Sequence, residues 1–121
     1  MSGYELEADL VEDCRKAAVT MGVVFERVGQ RDARKAGSDR GVPDVLVTAR
    51  GKLIPCEFKR PKAAGGRFSL DQLCAAERRR ACGVETYAPT SLPHFVALLN
   101  WARCGTGPVC QDCPTVPAIA T

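Results

Sequence analysis

Two carboxylates and one ammonium group, those of Asp44, Glu57 and Lys59, lie close together in the middle of the sequence. Two apolar runs flank a tight turn at Arg50-Gly51, a pattern typical of a β-hairpin. With these two residues as the loop, Asp44 lies directly opposite Glu57, where Cβ atoms are about 4.5–5.5 Å apart. Lys59 shares this face, because side chains alternate along a strand.

The other face of the predicted hairpin is apolar and should pack on a core. It carries Val45, Val47, Ile54, Cys56 and Phe58. Pro55 cannot donate a ladder hydrogen bond and can force a bulge, so the register stays open at this point. The relation between Glu57 and Lys59 does not depend on that register.

This arrangement of charges suits metal-assisted hydrolysis of a phosphate ester. Facing carboxylates repel each other unless a hard divalent cation lies between them, and Mg²⁺ prefers oxygen ligands. Such an ion lowers the pKa of a bound water and polarises a phosphoryl oxygen. Lys59 can orient or deprotonate the attacking water, or stabilise the pentavalent phosphorane. The alternative is a solvated strand edge with ordinary surface charges.

The remaining elements predict an α/β sandwich around a mixed sheet. A capping box at residues 2–5 opens a helix that Gly22 ends, and residues 23–28 form a strand. After the hairpin, Ser69 begins a helix that runs to about Cys82, and residues 84–88 form a short strand. A last helix runs from Ser91 to near Arg103, so the predicted order is αβββαβα.

The motifs in this framework resemble a known nuclease signature. Gly41-Val42-Pro43-Asp44, followed by Glu57-Phe58-Lys59, looks like the PD-(D/E)xK motif. The run Gly66-Arg67-Phe68-Ser69-Leu70-Asp71-Gln72 extends the resemblance to the virus-type replication-repair nuclease (VRR-Nuc) family, whose stand-alone members occur in phages and bacteria. The similarity spans about residues 5–103. It implies a restriction-endonuclease-like core with a central mixed β-sheet flanked by helices.

The resemblance also implies roles for the matching residues. Asp44 and Glu57 would bind Mg²⁺ or Mn²⁺ with the backbone carbonyl of Phe58, and Lys59 would be catalytic. Gln72 would contribute from the start of its helix, although it can equally be a capping-box residue.

Glu7 matches the family's acidic position on the first helix and would supply a further metal or water contact. Glu5 and Glu12 compete with it for this role, and Glu5 has its own explanation in the capping box.

The family cleaves DNA, and its stand-alone members look like homodimers that act on branched substrates such as Holliday junctions. Lys and Arg that neutralise phosphates release counterions, and two basic loops flank the carboxylates. The candidate DNA-binding residues are Arg31, Arg34, Lys35, Arg40, Arg60, Lys62 and Arg67. Arg78, Arg79 and Arg80 are interpreted as a solvated helix face.

The C-terminal residues 104–121 lie outside the predicted nuclease domain of residues 1–103 and are expected to form a loosely held tail. Cys104, Cys110 and Cys113 form a C-x5-C-x2-C pattern, but a zinc site needs a fourth ligand, and nothing fixes the position of His94. Reduced thiols are expected instead of a zinc site.

The composition agrees with one small cytoplasmic domain. The chain has 121 residues, 45% hydrophobic and 26% charged, with a net charge of +3 and seven cysteines. An odd number of cysteines without a secretory leader is typical of a reducing compartment, and no apolar run reaches the ~18 residues of a membrane span. Rival functions are a restriction or nicking nuclease on ordinary duplex or single strands, a non-catalytic nucleic-acid-binding module, and a partner-binding accessory protein.

Overall fold

The computed structural model describes residues 7–28, 43–59, 67–104 and 114–119. This part of the chain is α/β, with a three-stranded antiparallel sheet and three helices. Its elements are α1 (Glu7–Met21), β1 (Val24–Arg27), β2 (Val45–Ala49), β3 (Lys52–Cys56), α2 (Leu70–Ala81) and α3 (Leu92–Cys104).

The β2–β3 hairpin has the predicted two-residue turn and register. Arg50 and Gly51 both have positive φ, 50° and 81°, as the turn type that matches the twist of paired strands requires. Val45 pairs with Cys56, and Ala49 pairs with Lys52. Pro55 lies opposite Leu46 without a bulge, so the register that Pro55 had left open is the predicted one.

Strand β2 lies in the centre of the sheet, because β1 also pairs with it in antiparallel orientation. Val24 pairs with Thr48, and Arg27 pairs with Val45. Burial alternates along β2, so one face of the sheet is covered.

Helices α1 and α3 contact each other and the sheet, and they pack on the apolar face of the hairpin. The predicted inward residues are all nearly inaccessible: Val45, Val47, Ile54, Cys56 and Phe58. Phe58 packs against Phe25 and Phe95, with ring centroids 6.3 and 5.7 Å away. This aromatic cluster joins β1, the end of β3 and α3, and it turns Glu57 and Lys59 towards the opposite face.

The predicted element order is wrong after α2. Residues 84–88 do not form a strand, and only Tyr87 makes a bridge, which is parallel to Cys56. The amide of Tyr87 donates to the carbonyl of Pro55 at 3.0 Å, and the amide of Glu57 donates to the carbonyl of Tyr87 at 2.8 Å.

Two prolines explain why this parallel pairing stops after one bridge. Extending it in either direction requires a donor N–H at residue 55 or at residue 89, and both are proline. Over the described ranges the order is therefore αβββαα, and the three strands form an antiparallel sheet instead of the expected mixed one.

The expectation of a loosely held tail is wrong for residues 114–119. Thr115 bridges Tyr87 in antiparallel orientation. The amide of Val116 donates to the carbonyl of Thr86 at 2.9 Å, and the amide of Ala88 donates to the carbonyl of Pro114 at 2.8 Å. Val116 is fully buried. The boundary of the predicted nuclease domain at Arg103 stays a prediction.

Among the helices of the described ranges, none has the length and apolar character needed to cross a membrane.

Candidate functional site

Asp44 and Glu57 face each other at the open end of the β2–β3 hairpin. The register that pairs Val45 with Cys56 places them in the next rung, where side chains of directly opposed residues lie on one face. Two backbone hydrogen bonds hold Asp44. Its carbonyl accepts from the amide of Val28 at 2.9 Å, and its Oδ2 accepts from the amide of Phe58 at 3.0 Å.

Phe58 was predicted to help bind the metal through its carbonyl. Its amide contacts Asp44, and its side chain is fully buried in the core. The role of the carbonyl stays a prediction.

The Glu57 carboxylate is fully buried and only partly hydrogen-bonded. Its Oε1 accepts a long hydrogen bond of 3.4 Å from the side-chain amide of Gln72. Its Oε2 has no hydrogen-bond donor among the described residues. A buried carboxylate oxygen without a donor is costly when the group is ionised. A proton or a cation bound by Glu57 would satisfy this oxygen.

Burial and mutual repulsion disfavour two negative charges in this pair. Burial, followed by the negative charge of Asp44, raises the pKa of Glu57 to about 8. Burial also raises the pKa of Asp44, against the opposing effects of the Phe58 amide and the Lys59 charge. The Glu57 carboxyl itself acts to lower the pKa of Asp44, so a proton held by the pair lies on Glu57.

These two residues fit a Mg²⁺ or Mn²⁺ ion that takes the place of that proton. A divalent cation between the carboxylates offsets their repulsion and satisfies the buried Oε2 of Glu57. Within the described ranges no cluster of three or more Asp, Glu, His and Cys side chains is placed to bind a metal. Mg²⁺ commonly binds through one or two carboxylates and keeps several waters, and a metal ion at this pair stays a prediction.

Lys59 lies at the edge of this pair. Its Nζ is 5.8 Å from the centroid of the Phe68 ring. Its positive charge acts to lower the pKa of both Asp44 and Glu57, so the ammonium group is within electrostatic reach of both acids. The three predicted central residues therefore come together.

Gln72 both caps its helix and reaches the site, so the two interpretations of it are compatible. Its amide donates to the Ser69 hydroxyl at 3.1 Å, and its Oε1 accepts from the Ser69 amide at 2.9 Å, which completes a capping box. The remaining Nε2 donates to Glu57. The cap thus fixes the rotamer that points at the carboxylate.

Glu7 begins α1, but its side chain lies outside what the structure describes, so its role stays a prediction. The same holds for Arg31, Arg34, Lys35, Arg40, Arg60 and Lys62 of the predicted DNA-binding set. Arg67 is described and exposed.

The residues considered for a zinc site, and expected to be without zinc, are only partly described. Cys104 is an exposed free thiol, and Nδ1 of His94 lies 3.1 Å from the Thr90 hydroxyl. Cys110 and Cys113 lie outside the described residues, so the state of this cysteine cluster stays a prediction.

Arg79 was interpreted as part of a solvated helix face, but it lies beside the site. Its Nε donates to the buried Thr86 hydroxyl at 2.7 Å, and its charge lowers the pKa of Glu57. Arg79 follows Gln72 by seven residues, or about two helical turns, which places both on one side of α2. That spacing is the signal that could have assigned it to the site. Arg78 is the exposed member of the run.

In comparisons with protein-family models, curated proteins and solved structures, the chain matches none of them. Its resemblance to the VRR-Nuc family therefore rests on the residues of the motifs and stays a prediction.

Proposed function

We propose that this protein is a Mg²⁺- or Mn²⁺-dependent endonuclease that hydrolyses DNA phosphodiester bonds. The observation that carries the proposal is the pair formed by the half-buried Asp44 and the buried Glu57, in which the Glu57 Oε2 has no donor among the described residues. A purely structural carboxylate at this depth would be expected to have its hydrogen bonds satisfied. An acid with a strongly raised pKa beside a second acid and a lysine is typical of a functional site.

The residues of the chain have separate tasks in this proposal. Asp44 and Glu57 bind the cation and hold it at the end of the hairpin. When bound, the cation supplies Lewis acidity and an activated water. Gln72 orients the Glu57 carboxylate, and Lys59 positions the attacking water or stabilises the charge that develops on the phosphoryl oxygens.

The finer parts of the proposal rest on the motif resemblance. They are a restriction-endonuclease-like core, a preference for branched DNA such as Holliday junctions, and a homodimer that places two sites on one junction. The flanking basic residues, of which Arg67 is exposed, would neutralise phosphates along the DNA.

The test is cleavage of a four-way junction, a flap, a linear duplex and a single strand, each with Mg²⁺, Mn²⁺ or EDTA. We expect metal-dependent cutting by the wild type. Asp44→Asn, Glu57→Gln and Lys59→Ala should each reduce it at least about 100-fold, as loss of a catalytic group does. Asn at position 44 keeps an acceptor for the Phe58 amide, so the first variant tests charge and not the hairpin.

Glu26→Gln is the matched control, because Glu26 is an exposed carboxylate on the adjacent strand β1. It should cut like the wild type. Cleavage of duplex and junction at equal rates would reject the proposed preference for branched DNA but not the proposed nuclease activity. DNA binding without metal-dependent cleavage would identify a non-catalytic binding module, and neither activity would indicate an accessory protein. Wild-type cutting by all three site variants would reject the assignment of the site.

A further inference from the structure

The segment that leads into α2 lies on one side of the carboxylate pair, and its residues are not all accounted for by the proposed function. Ser69 caps the helix, and Gln72 reaches Glu57. Phe68 directly precedes the cap. Its ring packs against a small buried cluster formed by Ala76, Ala88 and Val116. This packing fixes the position of the ring.

The Phe68 ring also contacts Lys59. The Nζ of Lys59 lies over the ring at 5.8 Å from its centroid, within the range in which an aromatic face attracts a cation. A lysine has four rotatable side-chain bonds, and an exposed one adopts many rotamers. The ring therefore restricts an otherwise mobile ammonium group.

Two observations connect this contact with the site. Lys59 directly follows Phe58 and is two residues from Glu57, so its backbone belongs to the strand end that carries the acid. Phe68 also belongs to the segment that opens α2, from which Gln72 donates to Glu57 at 3.4 Å. The ring that contacts Lys59 and the side chain that contacts the acid therefore come from one short stretch of the chain.

We propose that Phe68 is the positioning residue for Lys59, holding its ammonium group beside the Asp44–Glu57 pair through a cation–π contact. This inference rests on the proposed nuclease function and assigns that site a residue outside its charged groups. Phe68 contacts Lys59, and a phenyl ring has no oxygen with which to bind the metal. Its loss should therefore affect the step that needs Lys59 and leave metal binding unchanged.

Phe68→Leu and Phe68→Trp test the proposal. Leu keeps an apolar side chain on the buried cluster but has no π face, whereas Trp has the strongest one. At saturating Mg²⁺, Phe68→Leu should lower the single-turnover cleavage rate by between about 2-fold and 30-fold, the range expected for a partly desolvated cation–π contact. Phe68→Trp should keep most of the wild-type cleavage rate.

The metal concentration at half-maximal rate separates positioning from structural damage. This concentration should be unchanged in Phe68→Leu, because the ring does not bind the metal. A collapse of the α2 start would instead disturb Gln72 and with it Glu57, and would raise the metal concentration that is needed. Lys52→Met is the matched control, since Lys52 forms the other described cation–π contact, 5.4 Å from the Trp101 centroid. It should leave the cleavage rate near that of the wild type.

A second measurement does not need cleavage. The Lys59 ε-methylene protons should show an upfield ring-current shift in the NMR spectrum, with Lys59→Met used to assign them. The shift should disappear in Phe68→Leu and return in Phe68→Trp. If the wild type does not cut DNA but shows the shift, the nuclease proposal fails while the contact stands.

An absent ring-current shift would overturn the inference. So would an unchanged cleavage rate in Phe68→Leu, or a fall in rate that comes with a weaker metal response.

Discussion

At the scale of single residues, Glu57 has the strongest effect on the properties of the site. It is fully buried, it faces a second acid, and the charges of Arg79 and Lys59 only partly compensate for the cost of ionising it. Gln72 provides a single long hydrogen bond. The pair therefore prefers to keep one proton near neutral pH unless a cation replaces it.

The stability of the metal-free protein should fall as the pH rises from about 4.5 to about 8. The pKa of Glu57 is raised from 4.5 to about 8 in the folded state, so the folded chain binds more protons than the unfolded chain in this window. The stabilisation is complete below pH 4.5 and is lost as the pH rises through the folded pKa. The expected loss is on the order of 2–4 kcal/mol, measured as the free energy of unfolding in urea with EDTA present.

Glu57→Gln should flatten most of this pH dependence, leaving the smaller contribution of Asp44, whose pKa is raised in the same direction. Saturating Mg²⁺ should reverse the slope in the wild type, because it binds the ionised pair. An equally steep slope in Glu57→Gln would show that other groups cause it.

The sequence allowed the central residues to be predicted for a local reason. Asp44 and Glu57 belong to one hairpin, and a two-residue turn fixes its register. Arg79 could not be assigned in this way, because its approach to Glu57 depends on how α2 packs on Thr86. Such a tertiary contact leaves only an ambiguous helical spacing in the sequence.

At the scale of elements, the start of α2 links helix stability to the site. Ser69 and Gln72 cap each other, and the same Gln72 donates to Glu57. Helix α3 also begins with a serine cap, in which the His94 amide donates to the Ser91 hydroxyl at 3.3 Å. Helix α3, however, packs on the opposite face of the sheet.

Ser69→Ala and Ser91→Ala should therefore have similar effects on stability but different effects on cleavage. Loss of either cap should lower the free energy of unfolding by about 1 kcal/mol. Only Ser69→Ala should also slow metal-dependent cleavage, because fraying of the first turn of α2 moves Gln72 away from Glu57. Equal cleavage rates in the two variants, compared at a temperature at which both are folded, would show that the cap does not support the site.

Residues 84–88 show that the strand propensity of a segment does not by itself decide whether the segment forms a strand. The β-branched residues in this segment predict a strand, and Tyr87 does pair with Cys56 of β3 in a single bridge. Whether it becomes a strand depends on donors at positions 55 and 89, which are both proline. That limit appears only when the pairing partner is known, and Pro55 had been considered only in relation to its hairpin partner.

At the scale of the whole molecule, two apolar clusters support the two sides of the site. The larger one joins α1, α3 and the sheet, and the smaller one joins Ala76, Ala88 and Val116. The C-terminal segment 114–119 belongs to the smaller cluster. Arg80 links it to the fold, because its Nη2 donates to the carbonyl of Val116 at 2.7 Å and to Glu85 Oε1 at 2.7 Å.

This second cluster was not predicted from the sequence, because the composition of the C-terminal segment resembles that of a disordered tail. A Pro-, Thr- and Ala-rich segment has few apolar groups to bury. Val116 nevertheless occupies a site formed by two alanines, whose small side chains allow close approach. The fit depends on the surroundings in α2 and after it, and not on the segment itself.

Val116→Ala should therefore lower the free energy of unfolding by about 2 kcal/mol, because it removes two methyl groups from a fully buried position and leaves a cavity. Val19→Ala is the matched control, since Val19 is 64% exposed on α1, and it should change stability by less than about 0.5 kcal/mol. Urea unfolding of both variants gives the comparison.

Hydrogen exchange of the Val116 amide, which donates to the carbonyl of Thr86, reports on the C-terminal segment directly. If the C-terminal segment is part of the cooperative fold, this amide exchanges as slowly as the amides of the sheet in the wild type and faster in Val116→Ala. Equal stability of the two variants, together with fast exchange in the wild type, would show that the segment detaches without unfolding the rest.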